Sequence, residues 1–303
     1  MFTGVLLADM VTQKEVCLTD PLGGILPPEI QLPQKSERKM TLEDVATHRS
    51  GLPRLPPDFW ATANQTPNNP YELFCREIIL ESLARWEPRF EPQERYEYSN
   101  YAYALLGNVL ADQQEMSYES LLKKRILDPL AMSDTRVQLN ESQQERLIPG
   151  HDANGQKSSN WNMTGFAPSG GWHSTIDDML RFTLAALGRF DLLESHAVRH
   201  SEWKRLEAAF QLSFVLRADG GENHKVGLGW HYNSASEFYH HTGQTGGYFS
   251  VILIDRKNKI GIVILSNSFN SLPDEIAVRI RYRIIEGRVG NLHLDSGFRR
   301  NDD

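Results

Sequence analysis

Near Val226 the hydrophobic period of this chain changes, and that change restricts the fold more than any other feature of the sequence. Downstream lie two β-branched apolar runs, residues 248–254 and 260–265, on either side of a charged turn at 255–259. Such a pair reads as an antiparallel hairpin whose strands are buried on at least one face. The segment 227–232 is also strand-like. Upstream the apolar residues recur at helical spacing instead. Helices in the middle of a chain and an antiparallel sheet late in it, flanked by further helices, predict an α+β fold with an all-α region beside the sheet.

The helical part resolves into several segments. Val5, Leu6, Met10 and Val11 fall near helical spacing, and no capping residue precedes Phe2, so the sequence starts as if inside a helix. A Pro/Gly stretch, PLGGILPPEIQLP, predicts an extended connection. Thr41-Leu42-Glu43-Asp44 has the form of a capping box, and the helix it opens is expected to stop at Gly51, with Pro53 beyond. Residues 56–70 predict a surface loop, and 71–85, 101–110 and 118–126 predict helices. Ser174 or Thr175 caps a helix through Leu187, with Asp177 and Asp178 suitably placed in its first turn. Residues 276–285 predict a closing amphipathic helix. These readings divide the chain into an extended and helical start (1–40), an all-α region (41–165), a sheet-and-helix region (166–288) and a disordered tail (289–303).

Composition narrows the function. The chain has 303 residues, 40% hydrophobic and 23% charged, with a net charge of −7. This is globular composition with no basic block, which argues against a nucleic-acid partner. No apolar run reaches the roughly 18 residues of a membrane span. The first residues lack a basic n-region and carry Asp9 in their apolar stretch, so no signal peptide is expected. Cys17 and Cys75 form neither a disulfide framework nor a metal spacing.

Three motifs carry chemistry. Tyr98-Ser99-Asn100 precedes a predicted helix; its phenol is a general base only where cations lower its pKa from about 10, and otherwise Tyr98 is a packed aromatic and Asn100 a helix cap. His241-Thr242-Gly243, followed by Gln244-Thr245-Gly246-Gly247, lies beside a strand. It offers a backbone N–H at Gln244 to a developing oxyanion, or is simply a Gly-rich turn. A metal held by His240 and His241 is the weaker alternative, because adjacent strand residues face opposite sides. The third motif, Thr47-His48-Arg49-Ser50-Gly51-Leu52-Pro53, reads alone as a helix C-terminus with His48 as dipole partner.

In this order the three motifs resemble the serine β-lactamase and penicillin-binding protein superfamily, in its class C-like branch of D-alanyl-D-alanine carboxypeptidases and esterases. Residues 47–53 match T-H-x-S-G-L-P, residues 98–100 match Y-x-N, and residues 241–248 match H-T-G followed by x-T-G-G-Y. Residues 125–135 (RILDPLAMSDT), 150–153, 170–171 and 174–182 also fit. The resemblance implies a β-lactamase/transpeptidase-like fold and an acyl-enzyme mechanism on a β-lactam, an acyl-D-Ala-D-Ala peptide or an ester. It implies Tyr98 as general base, Asn100 on the substrate amide, and His241, Thr242 and Gly243 at the substrate carboxylate. Gln244 would be an oxyanion donor. No metal or organic cofactor is implied, the substrate is a small molecule or peptidoglycan peptide, and full-length relatives are periplasmic or otherwise exported.

The superfamily's first box, S-x-x-K, supplies the nucleophile and its lysine. In relatives it is followed by F-T-x-x-x-L-A, matched here by residues 2–8. The expected serine and lysine therefore fall immediately before Met1, Thr3 lies beyond them, and Ser50 and Ser99 belong to other boxes. The sequence thus predicts a truncated hydrolase, without its early strands, inactive as it stands. The 248–265 hairpin would then lie near an exposed sheet edge. A non-catalytic ligand-binding or interaction protein on the same fold is the alternative.

Overall fold

The computed structural model describes residues 1–193 and 200–287. Six strands form one sheet: β1 (Ala218–Gly221), β2 (His224–Val226), β3 (His231–Asn233), β4 (Phe238–Thr245), β5 (Tyr248–Asp255) and β6 (Ile260–Ser266). They follow one another in sequence order, and every neighbouring pair is antiparallel. The expected hairpin is β5–β6. Alternation along β5 divides its side chains between two cores. Ile252 and Ile254 join the main hydrophobic cluster, while Val251 and Leu253 join a smaller one with Phe238, Ile262 and Ala277. Ala277 comes from the helix Leu272–Ile285, which packs on β5 and β6. β6 ends the sheet order among the described residues.

The main cluster runs from Phe2 to Ile254 and so joins the all-α region to the sheet. Its oldest member in the chain is the helix Phe2–Thr12, buried at Phe2 through Met10 and packed on the helix His200–Ser213. Gly4 is required there. A Cβ on it would sit 2.1 Å from the carbonyl oxygen of Leu228, a backbone atom that cannot swing away. We expect Gly4→Ala to cost about 3 kcal/mol or more, and urea unfolding of the variant checks this.

Two of the sequence motifs prove to be ties within this framework. Arg125 donates to buried Asp9 at 3.1 Å and to Glu15 at 2.7 Å, and Arg205 also pairs with Asp9. Asp178 accepts the Asp134 N–H and the Thr135 hydroxyl, each at 2.8 Å. The segments 125–135 and 174–182 thus fasten helices together, and Asp134 and Ser174 also reach the cleft wall.

Several element boundaries differ from expectation. The Thr41 capping box forms, with both reciprocal bonds, but its helix is only Leu42–Ala46. Thr47 closes it and His48 turns left-handed at φ 58°, well before Gly51. The expected loop 56–70 contains the helix Phe59–Ala63, held by the burial of Phe59 and Ala63. The expected helix 71–85 begins at Arg76, because Cys75 is extended; it ends as a 3-10 turn. The segment 118–126 is α-helical to Leu122 and then widens into a π-turn at Lys123–Leu127. Thr175 is the cap of Ile176–Ala186, its hydroxyl accepting the Asp178 N–H at 3.3 Å. Residues 227–230 are not strand: only His231–Asn233 of that stretch pairs. The closing helix starts earlier, at Leu272, with Pro273 in its first turn. The tail 289–303 lies outside the described residues.

Candidate active-site cleft

The site is assembled where the helix Asn100–Asp112 starts. Ser99, not Asn100, is its cap: the Ser99 hydroxyl accepts the Ala102 N–H at 2.9 Å and donates to the Pro53 carbonyl at 2.6 Å. That frees the Asn100 side chain to face the cleft. The backbone N–H groups of Asn100 and Tyr101 donate to the Arg54 carbonyl, at 3.1 and 3.2 Å. The segment after Pro53 is thereby pinned to the start of the helix.

His48 holds Tyr98 in place. It is 2% exposed and its Nδ1 accepts the Ser99 N–H at 3.1 Å, which fixes the tautomer protonated at Nε2. Its ring lies 4.5 Å from Tyr98 and 4.9 Å from Tyr103, centroid to centroid. The expected dipole partner is therefore a buried neutral imidazole. Burial drives its pKa well below 6.5, and neighbouring His231 adds to the effect.

The opposite wall is β4. His241, Thr242, Gly243 and Gln244 all line the cleft, and the hairpin to β5 turns at Gly246 and Gly247. Gly247 has φ +79°, and a Cβ there would meet the Gly150 carbonyl carbon at 2.7 Å. His151, next to it, bonds the Gly247 carbonyl and the Asn267 carbonyl through its backbone N–H. The 150–153 motif thus latches the tip of the hairpin. His241 donates from Nδ1 to the Thr242 carbonyl at 2.7 Å, which leaves Nε2 with a free lone pair. Its pKa too is driven well below 6.5, first by burial.

These walls enclose a cleft of about 940 Å³. The six residues to which the resemblance gives site roles (Tyr98, Asn100, His241, Thr242, Gly243 and Gln244) line it. The structure adds residues that sequence spacing gave no reason to join. His231 of β3 lies 5.1 Å from His241, 5.8 Å from His240 and 6.1 Å from His48, and stacks on His224 at 4.8 Å. Its Nδ1 is 2.7 Å from His224 Nε2. Burial and its imidazole neighbours lower its pKa to about 3. Among the described residues no three His, Cys, Asp or Glu side chains are grouped to hold a metal ion. Cys17 and Cys75 are free and exposed.

The Tyr98 phenol lies in the wrong regime for a base. Burial raises its pKa, and the guanidinium of Arg54, 5.1 Å over the ring, opposes that only in part. Among the described residues no lysine lines the cleft. Its serine and threonine hydroxyls include Ser169, spent on the Phe166 carbonyl at 2.9 Å, and Ser174, bonded to Thr135 at 2.8 Å. Thr3 is buried elsewhere, bonded to Tyr118 at 2.6 Å and to the Pro168 carbonyl. Ser50 is buried and accepts the Leu52 N–H. The spacing S-x-x-K occurs three times, at 36–39, 120–123 and 201–204. None of these residues lines the cleft. Ser36 bonds Glu91 at 2.6 Å, and Lys123 pairs with Asp128.

A family profile described as Beta-lactamase matches residues 1–286. The chain belongs to the beta-lactamase family. Within it, the chain is 29% identical over 287 residues to the D-alanyl-D-alanine-carboxypeptidase/endopeptidase AmpH of Escherichia coli (strain K12), which spans 91% of this chain and 72% of AmpH. It is 24% identical to a beta-lactamase of the same organism, over 94% of this chain and 77% of the relative. Among solved structures it is similar to a beta-lactamase/D-alanine carboxypeptidase from Yersinia pestis complexed with citrate. The TM-score is 0.76 at 22% identity, covering 93% of this chain and 81% of that one. The beta-lactamase-like α+β fold read from the sequence is the fold observed. Among the described residues no helix is long and apolar enough to cross a membrane.

Proposed function

We propose that the cleft of this beta-lactamase family member is a serine-hydrolase site of the β-lactamase, D-Ala-D-Ala carboxypeptidase or esterase type, and that residues 1–303 by themselves, with no S-x-x-K at the cleft, do not carry out acyl transfer. The observation that carries this is the position of the first helix. The residue that precedes it, Met1, is packed beside Gly229, two residues before His231 of the cleft wall: a Cβ on Gly229 would sit 3.2 Å from the Met1 Cα and 3.3 Å from its nitrogen. The resemblance puts the serine and lysine of S-x-x-K just ahead of this point. Acyl transfer needs such a hydroxyl with a basic neighbour.

The other parts keep their inherited roles in this reading. Asn100 meets the substrate amide, His241, Thr242 and Gly243 face the substrate carboxylate, and the Gln244 N–H is the surviving oxyanion donor. An oxyanion donor is worth about 10²–10³ in rate. That factor is idle without a nucleophile. Tyr98, protonated in the cleft as it stands, becomes a base only when an ammonium group is set beside it.

The test uses a chromogenic cephalosporin and a fluorescent penicillin. The 303-residue protein is expected to show neither turnover nor covalent labelling. A version extended upstream by an S-x-x-K helix turn and its preceding segment is expected to gain labelling. Labelling of the 303-residue chain refutes the reading. A folded, extended protein that labels with nothing favours the second reading, a non-catalytic ligand-binding protein, which the intact cleft also supports.

A further inference from the structure

We propose that Arg54 is the anion-binding and specificity-determining residue of the cleft, selecting ligands that carry a carboxylate. The inference rests on reading this cleft as the substrate site, and it assigns the charge to a different wall from the H-T-G strand.

The cleft's charge inventory leads there. Among its lining residues the cations are Arg54 and Arg146 and the carboxylate is Asp134. Arg146 is already taken: it grips Asp134 with both Nη atoms, at 3.1 and 2.6 Å. The imidazoles bring no charge at neutral pH. His48 and His241 are driven well below 6.5 by burial, and His231 to about 3. His241, on the strand where a K-T-G sequence would place an ammonium, therefore offers only a neutral ring. Arg54 is left carrying the cleft's uncompensated charge.

Its geometry suits that task. Among the described residues no carboxylate pairs with its guanidinium and no hydrogen bond holds it; it lies over the face of Tyr98, 5.1 Å from the ring centroid. The side chain is exposed, so its donors are open to an incoming ligand. The backbone is fixed: the Arg54 carbonyl accepts two N–H groups at the start of the helix Asn100–Asp112. Its charge reaches Tyr71, Tyr96 and Tyr98, lowering the pKa of each against burial. A guanidinium with its fork free, laid on an aromatic wall, matches a planar carboxylate in two parallel hydrogen bonds. The aromatic face keeps the fork in orientation while a ligand is absent.

The ligand class follows. It is an acyl compound with a free carboxylate on the Tyr98 side of the cleft, in addition to any carboxylate directed at Thr242. Neutral esters and amides of the same shape lose the Arg54 contact and keep the rest.

The experiment is equilibrium binding to the 303-residue chain by calorimetry or NMR titration, and needs no turnover. The probes are N-acetyl-D-alanyl-D-alanine and hippurate, each against its neutral carboxamide. Wild type is expected to prefer each carboxylate over its amide by about tenfold, with the preference shrinking as salt is raised. Arg54→Ala is expected to abolish the preference, Arg54→Lys to restore part of it, and Arg54→Glu to invert it. Affinity for the amides and the unfolding midpoint should stay unchanged in Arg54→Ala, which separates lost recognition from lost fold. Equal binding of acid and amide to wild type, or an undiminished preference in Arg54→Ala, overturns the proposal, as does failure of both carboxylates to bind. Hippurate discrimination without binding of the D-alanyl peptide supports Arg54 and counts against the D-Ala-D-Ala reading. The acylation test above probes the nucleophile alone.

Discussion

Acidification from pH 7.5 to 5.5 is expected to strip this protein of a large part of its stability. His48, His231, His240 and His241 all have folded-state pKa values below the ordinary 6.5, each chiefly through burial. Above pH 6.5 these imidazoles are neutral whether the chain is folded or not. Below it the unfolded chain takes up protons that the folded chain refuses, so stability is lost as pH falls. The loss continues toward the folded values, about 3 for His231. Each such group contributes up to about 1.4 kcal/mol per pH unit. Over the first unit below 6.5 the four together give on the order of 3–4 kcal/mol, which is sizeable beside a total of about 5–15 kcal/mol. The groups facing this cluster are His224, Tyr96, Tyr98, Tyr103, Arg54 and the Met1 amino group, itself lowered to about 5 by burial and so acting in the same sense, with Asp274 acting on His240 in the opposite sense. Asp9 and Asp178, raised by burial, also oppose the trend, but closer to the carboxylate range. Urea unfolding at pH 7.5, 6.5 and 5.5 measures the slope. His231→Gln should flatten it, and a slope of zero in the wild type would sink the account.

The second large effect is expected at Asp9. Its carboxylate is wholly buried in the first helix and receives Arg125 and Arg205, which are 14% and 19% exposed at the side chain. Asp9→Ala leaves two guanidinium groups facing one another with the shared anion gone. Removing one partner of a buried ionic cluster costs about 3–5 kcal/mol. Calorimetric unfolding should show it, and the Asp9→Ala, Arg205→Met double variant should recover part of the loss. If Asp9→Ala unfolds within about 0.5 kcal/mol of wild type, the cluster is not holding the helices together.

What sequence made legible was whatever local chemistry decides. The β5–β6 hairpin was readable because β-branched runs and a charged turn settle it within twenty residues. The Thr41 box was readable because both its partners lie in one turn. The three motifs of the cleft were readable because each is a short contiguous string, and the fold does bring them to one place. The short strands β1 and β2 were not readable. Their residues, Ala218–Gly221 and His224–Val226, have little β-branched content, and the meander supplies their pairing. The helix His200–Ser213 escaped because its stability comes from the first helix, some two hundred positions away. His231, His224 and Arg54 escaped for a related reason. An isolated histidine or arginine says nothing about its neighbours until the sheet and the Asn100 helix are placed. His48 was visible but misread, since a residue ending a helix gives no sign that its ring will be sealed under two tyrosines.

The pairing of the helix Phe2–Thr12 with the helix His200–Ser213 has a consequence for the chain's biosynthesis. At about 5–20 residues per second, the later helix leaves the ribosome roughly 10–40 seconds after the earlier one. Throughout that interval Val5, Leu6 and Leu7 wait in solvent for a surface not yet made. Nascent chains of this protein should therefore be captured by ribosome-associated chaperones early in translation and released only once the region around Arg205 has emerged.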